Sequence, residues 1–337
     1  MKRFEGEFDV VGAQIATEYF SRTPADRLAH GYLFAGPEGA GKKTFALRLA
    51  KSMLCTAPKT TLLGYCNACP ACRQVDAGTH PDIFTTSGTL KIGERGAAAG
   101  FSESEDLTAR DIVRQLSLHS YAGGWRLVLL GDLDFRGTEA AANALLKFFE
   151  EPPPRVLVVA TSATPERILP TIRSRLIELR FGPIPADEMR AVLARSAVEK
   201  NDIEAIVGLA QGNLARAFEL AAEDGANVRN AAIEWFFNVA QAQPVDESWI
   251  SRDNLVPGLA VIKTLARDWL ALRVGAPRET LLAGDQSARL RELPKVDPPV
   301  LLDLQQAIIA AERLARTNVA PPMVLMLLKM RIASSAF

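Results

Sequence analysis

The chain's cysteines, Cys55, Cys66, Cys69 and Cys72, all fall within one short stretch, the last three as a Cys-x-x-Cys-x-x-Cys run. Four thiolates this close in sequence offer the closed tetrahedral shell that structural zinc prefers. Such a shell leaves no open position for a catalytic water, so the Zn²⁺ expected here is structural. A redox Cys-x-x-Cys pair or an inert buried cluster is the competing reading of the same spacing. In a reducing compartment the thiols are not expected to pair as disulfides. Nearby His80 is expected to serve a turn or packing role, because four sulfurs already complete the shell.

A second constellation is Gly36-Pro37-Glu38-Gly39-Ala40-Gly41-Lys42-Lys43-Thr44. A phosphate loop works because successive backbone N–H groups and a helix N-terminus surround phosphate oxygens while a lysine neutralises their charge. Gly36, Gly39 and Gly41 allow the close backbone approach, and Lys42 occupies the lysine position. The next residue should carry the hydroxyl that holds Mg²⁺. It is Lys43 instead, with Thr44 one place late. Retained binding of ATP with Mg²⁺ and a vestigial loop therefore both stay open. The acidic Mg²⁺ partner is expected just after a strand at 126–130, where Asp132 stands. The residue after it is Leu133, which cannot polarise an attacking water, and little intrinsic hydrolysis is expected.

These residues need elements to position them. Gly31-Tyr32-Leu33-Phe34-Ala35 reads as a buried strand running into the loop, and 45–54 carries apolar residues at helical spacing. Strand, glycine-rich loop and helix form the context that a phosphate loop requires. Further strands are expected at 126–130, 156–160 and 176–179, with helices over about 108–119 and 139–150. The latter stops before Pro152-Pro153-Pro154. Continuous apolar strands of this kind imply a mostly parallel sheet covered by helices on both faces. Residues 91–105 read as a surface loop. Beyond Ile184 the strand signal vanishes. Helices are expected over 185–197 and 202–222, then throughout 230–337, with stripes such as Val261-Leu265-Leu272 and Leu304-Ile308-Leu314.

At 337 residues, two or three domains are expected. Lys plus Arg and Asp plus Glu both number 39, which argues against coating nucleic acid or membrane through bulk positive charge. No run approaches the length of a membrane-spanning helix, and the start shows no apolar signal segment. A cytoplasmic, multidomain protein is expected. Lys147, Arg155, Arg167 and Arg173 read as a solvated basic face.

Several motifs together carry a resemblance. They are Tyr32-Leu33-Phe34-Ala35-Gly36-Pro37 with its loop, the four-Cys insertion, Ala77-Gly78-Thr79-His80-Pro81-Asp82, and Ala142-Asn143-Ala144-Leu145-Leu146-Lys147 running into Glu150-Glu151-Pro152-Pro153. To these add Leu169-Pro170-Thr171-Ile172-Arg173-Ser174-Arg175 and, near the end, Asn318-Val319-Ala320-Pro321-Pro322-Met323. The combination resembles bacterial clamp-loader subunits, AAA+ proteins of the DNA polymerase III holoenzyme. Lys43 and Leu133 depart from the family's ATPase motors and resemble its non-hydrolysing stator branch.

The resemblance implies a AAA+ α/β domain over 1–183 with the zinc module at 55–72, a small helical lid over 184–228, and a helical collar for oligomerisation over 229–337. It implies a place in a DNA-directed DNA polymerase (nucleotidyltransferase) holoenzyme, in a hetero-pentameric ring with tau/gamma and delta subunits. Sliding clamp and primed DNA would be met through that complex. Ser174-Arg175-Leu176 keeps the arginine of a family motif, so Arg175 would act as an arginine finger on a neighbour's ATP. The sensor-1 region would fall near Thr161-Ser162. The sensor-2 arginine position falls on Ala215, with Arg216 one step off. An active motor-like ATPase and a stand-alone zinc-binding adaptor are the two rival readings.

Overall fold

The computed structural model describes residues 10–57, 62–86, 114, 117–121, 123–131, 146, 149–150, 153–196, 198, 202–315 and 317–336. They form two compact units, Met1–Ile184 and Pro185–Phe337.

The first unit is built on five parallel strands: β1 (Gly31–Ala35), β2 (Ile83–Thr86), β3 (Arg126–Leu130), β4 (Val156–Ser162) and β5 (Ile177–Arg180). Their order across the sheet is β2-β3-β4-β1-β5. One strand, β4, thus separates the strand that feeds the phosphate loop from the strand that leads to Asp132. In β1, β3 and β4 every residue is buried, as expected for strands covered on both faces. Alternation then sorts their side chains. Leu33, Val128, Leu130, Val158 and Ala160 share one core, whereas Tyr32, Phe34, Leu127, Leu129 and Val159 share the other.

The second core also holds α1 (Gln14–Arg22) and α2 (Lys42–Leu54), through Phe20, Phe45, Ala46, Leu49 and Ala50. Phe20, Phe34, Phe45 and Phe181 meet there mostly edge-on or tilted, with centroids 5.0–6.3 Å apart. Among the described residues, two further short helices have both ends placed in this unit, α3 (Pro70–Asp76) and α4 (Pro170–Arg173).

The expected strands at 31–35 and 126–130 have those bounds; the third extends to Ser162 and the next begins at Ile177. Sequence reading missed β2. Among the described residues it is a four-residue edge strand paired with β3 alone, and only Thr86 of it is fully buried, so its apolar pattern is faint. The loop expected at 91–105, together with Asp132, Leu133 and Lys147, lies outside the described residues. So do most of the helices expected at 108–119 and 139–150, of which Arg114, Leu146, Phe149 and Glu150 are described and helical, whereas Ser117, Leu118 and His119, at the end of the first range, are described and not helical.

Among its described residues the second unit holds helices and no strand: α5 (Ala186–Ala194), α6 (Ile203–Ala210), α7 (Leu214–Ala221), α8 (Glu223–Ala240), α9 (Arg252–Arg273), α10 (Ser287–Glu292), α11 (Pro298–Ala315) and α12 (Pro321–Ala336). The expected helix over 202–222 is broken in two, because Gln211 and Gly212 both take positive φ and end α6. Helix α8 runs continuously through 228–229, where the lid and collar were divided from sequence. Val261, Leu265, Leu304 and Ile308 of the expected stripes are buried, while Leu314 at the end of its stripe is exposed. No described helix is long and apolar enough to cross a membrane.

Candidate functional site

The thiol cluster forms where α2 ends. Cys55 is the residue after that helix, and Cys69 caps the start of α3, its Sγ accepting the Cys72 N–H at 3.4 Å. All four Sγ atoms lie within 4.8 Å of one another, with Cys55–Cys66 at 3.6 Å and Cys66–Cys72 at 4.0 Å. A tetrahedron of sulfurs at zinc–thiolate bond length has edges of about 3.8 Å, so the donor set fits a closed four-sulfur metal site.

Two of the thiols, Cys66 and Cys69, are biased toward ionisation and one, Cys72, against it. N–H groups of Ala68 and Cys69 aimed at Cys66 hold its thiol below the usual value. Burial opposes ionisation of Cys69, yet donors from Thr56 and Cys72 outweigh it and bring that thiol down to about 6. Burial pushes Cys72 up to about 12, so a metal must displace its proton. His80 is no part of this cluster; buried, it accepts the Asp82 N–H on Nδ1 at 3.1 Å, the turn role expected for it.

A feature that sequence reading missed binds this module to the phosphate-loop helix. Lys51 of α2 is 2% exposed, and its Nζ donates to Asn67 Oδ1 at 2.6 Å and to both Asp76 carboxylate oxygens. The same ammonium sits 4.5 Å from the centroid of the buried Tyr65 ring. Next to it, Ser52 Oγ donates to Gly64 O and accepts from Gly64 N. The signal was a basic residue on the apolar face of a helix, which sequence alone reads as solvated.

An asymmetric cost follows. Asp76 is half exposed and tolerates losing its partner, whereas Lys51 without Asp76 is a buried, under-compensated charge. Asp76→Ala is therefore expected to destabilise the unit by about 2–3 kcal/mol, and Lys51→Met by about 1 kcal/mol or less. Chemical denaturation of the two variants would check that order, and equal costs would refute it.

The glycine-rich loop turns sharply between β1 and α2. Gly36, Gly39 and Gly41 all take positive φ, and a Cβ on Gly36 would lie 2.1 Å from the Phe181 carbonyl oxygen. Lys42 is buried, its Nζ donating to the Gly36 and Pro37 carbonyls at 2.6 and 2.7 Å. Lys43 and Thr44, the next residues of α2, are both exposed. Beside the loop, Thr161 and Ser162 end β4 in register with Phe34 and Ala35, and Ser162 O accepts the Gly36 N–H at 3.1 Å. Thr161 and Ser162 thus abut the loop through the sheet.

Arg175 lies between α4 and β5. Its NH1 donates to the Thr171 carbonyl at 2.8 Å and its NH2 to Glu150 Oε1 at 2.5 Å, with a third of the side chain exposed. Arg173, by contrast, is held by Glu178, and Arg155 by the Gly123 carbonyl. In the second unit Arg216 is half-buried, and desolvation disfavours its charge; its carboxylate neighbours are Glu312 and Glu219. Ala215 is exposed.

A parallel sheet of this order, a glycine-rich phosphate loop after β1 and a separate helical unit define a AAA+-type P-loop protein, here carrying a four-thiol cluster. The chain belongs to the family described as DNA polymerase III, delta subunit, which matches residues 13–185. It is 31% identical to DNA polymerase III subunit delta' of Pseudomonas aeruginosa over 80% of this chain and 77% of that one. It is 27% identical to the subunit of the same name from Bacillus subtilis, over 74% of each. Likeness to the gamma/tau subunit of Mycobacterium tuberculosis is 34% over 56% of this chain, but covers only 30% of that protein.

Proposed function

We propose that this chain is the stator of a DNA polymerase III clamp loader. It hydrolyses no ATP itself, lends Arg175 to ATP held by a neighbouring tau/gamma motor subunit, and so couples hydrolysis there to placing the sliding clamp on primed DNA. Its partners are tau/gamma and delta subunits in a hetero-pentameric ring in the cytoplasm, and its metal is structural Zn²⁺ held by Cys55, Cys66, Cys69 and Cys72.

The observation that carries the non-hydrolysing part is Lys43. The loop keeps its glycines and a buried Lys42, yet an exposed lysine stands where a hydroxyl must hold Mg²⁺. Without that hydroxyl, and with Leu133 beside Asp132, the metal and the attacking water lose groups that would position them. The finger assignment is supported by Arg175 itself, which is partly exposed at the motif shared with the family.

For the collar, helix α12 exposes Met323, Met326, Leu327 and Met330. Their spacing of three, four and seven residues sets them on one face. We assign that face to packing against a collar helix of the adjoining subunit.

Steady-state ATP hydrolysis by the purified chain at saturating Mg²⁺ and ATP tests this directly. No turnover above background is expected. Clear turnover abolished by Lys42→Ala would make the chain a motor. A chain that fails to assemble with tau/gamma and delta would instead be a zinc-binding adaptor.

A further inference from the structure

We propose that Glu150 parks Arg175. Its carboxylate fills, in the free chain, the place that a phosphate oxygen of the neighbour's nucleotide takes in the assembled ring. The inference rests on Arg175 acting as a finger in trans, and it names the group that the finger must leave to do so.

The pairing is tertiary, because Glu150 lies 25 residues upstream of Arg175. Within Arg175's own stretch the only backbone partner engaged by its guanidinium among the described contacts is the Thr171 carbonyl, four residues back. NH1 and NH2 form one edge of the guanidinium, the edge that grips phosphate or carboxylate in bidentate fashion. With NH2 committed to Glu150, that edge is half occupied by an anion. A phosphate arriving at the same edge would also meet the Glu150 carboxylate as a like charge. Phosphate and carboxylate therefore exchange rather than share.

The exchange is easy. The side chains are 34% and 51% exposed, and an ion pair this open to water is weak and sensitive to salt. Glu150 thus holds the finger at the surface in a defined place without binding it tightly. The neighbouring arginines do not compete for it: Arg173 and Arg180 both bond to Glu178.

The test compares wild type, Glu150→Gln, Arg175→Ala and the double variant, each reconstituted with tau/gamma and delta. The readouts are kcat/KM for ATP at low and moderate salt and thermal unfolding of the isolated chain. Glu150→Gln keeps the size of the side chain and removes its charge at an exposed position, so unfolding should not shift. It is expected to raise kcat/KM about two- to fivefold at low salt, the range of an exposed ion pair. That gain should shrink as salt rises and vanish in the Arg175→Ala background.

A Glu150→Gln complex that slows as Arg175→Ala does would make Glu150 a buttress and overturn the proposal. So would no change at low salt, or an equal gain in the Arg175→Ala background. If Arg175→Ala leaves turnover at the wild-type level, the finger reading itself falls, whatever Glu150→Gln does.

Discussion

Replacing Arg175 with alanine is expected to slow ATP hydrolysis at the adjoining motor site by about 10³-fold or more, the range over which arginine fingers act. Nucleotide binding there should change little, because a finger stabilises charge that develops on the transferring phosphate. The guanidinium is already oriented, with NH1 fixed on the Thr171 carbonyl and the side chain emerging beside the start of β5. Arg175→Lys should recover only a small part of the rate. An ammonium is a point charge and cannot present two parallel donors to a phosphate. Rapid-quench hydrolysis in the reconstituted complex, restricted to the site beside this chain, measures the effect. A rate within a few-fold of wild type would remove Arg175 from catalysis.

The second large effect is expected on stripping zinc. Ligation by four thiolates contributes folding free energy on the order of 10 kcal/mol in small zinc modules, because the site scarcely exists before the chain folds around the ion. Here the cluster joins the end of α2 to α3 with little else in its core. Its apolar surroundings are Tyr65 and the cysteines themselves, with Ala57 at the margin. Chelation, or Cys72→Ser, is therefore expected to release one Zn²⁺ per chain and abolish amide protection across 62–76.

Strands β1, β3 and β4 should stay protected, since none of the cysteines lies in their two cores, which take from the module only the half-buried Leu62 and Leu63. Acid should act in the same direction, because protons compete with the metal for sulfur as pH falls. Hydrogen exchange with and without chelator, alongside metal analysis, reads both quantities. Protein that purifies without zinc, or protection unchanged by chelation, would refute the assignment.

If α2 loses its partners Asn67 and Asp76 when the module opens, Lys51 is left as a buried cation at the end of the phosphate-loop helix. Loss of metal should then cost more than the module alone. The double change Lys51→Met with Cys72→Ser should be less destabilising than the sum of its parts.

Much of this protein was legible along the chain because the relevant chemistry is local. The cysteine run, the glycine-rich loop and the strand before it lie within 42 residues of one another, and their spacing carries their meaning. Continuous apolar runs marked β1, β3 and β4, since strands buried on both faces need no alternation. Lys43 announced its departure by occupying the one position where a hydroxyl is required. The edge strand β2 was missed because only Thr86 of its four residues is fully buried, which leaves little apolar pattern to read.

What only the tertiary structure decided are the partners of charged groups, since a charge on a helix face reads the same whether solvent or a carboxylate meets it. Lys51 is a buried tie to the cysteine module because Asn67 and Asp76 fold back over α2. Arg216, one step from the sensor-2 position in sequence, has Glu312 and Glu219 as its carboxylate neighbours. Arg175 meets Glu150 because the sheet brings distant segments together. Periodicity and motif spacing settle backbone form and local ligand sets, whereas burying or pairing a charge depends on which remote segment folds against it.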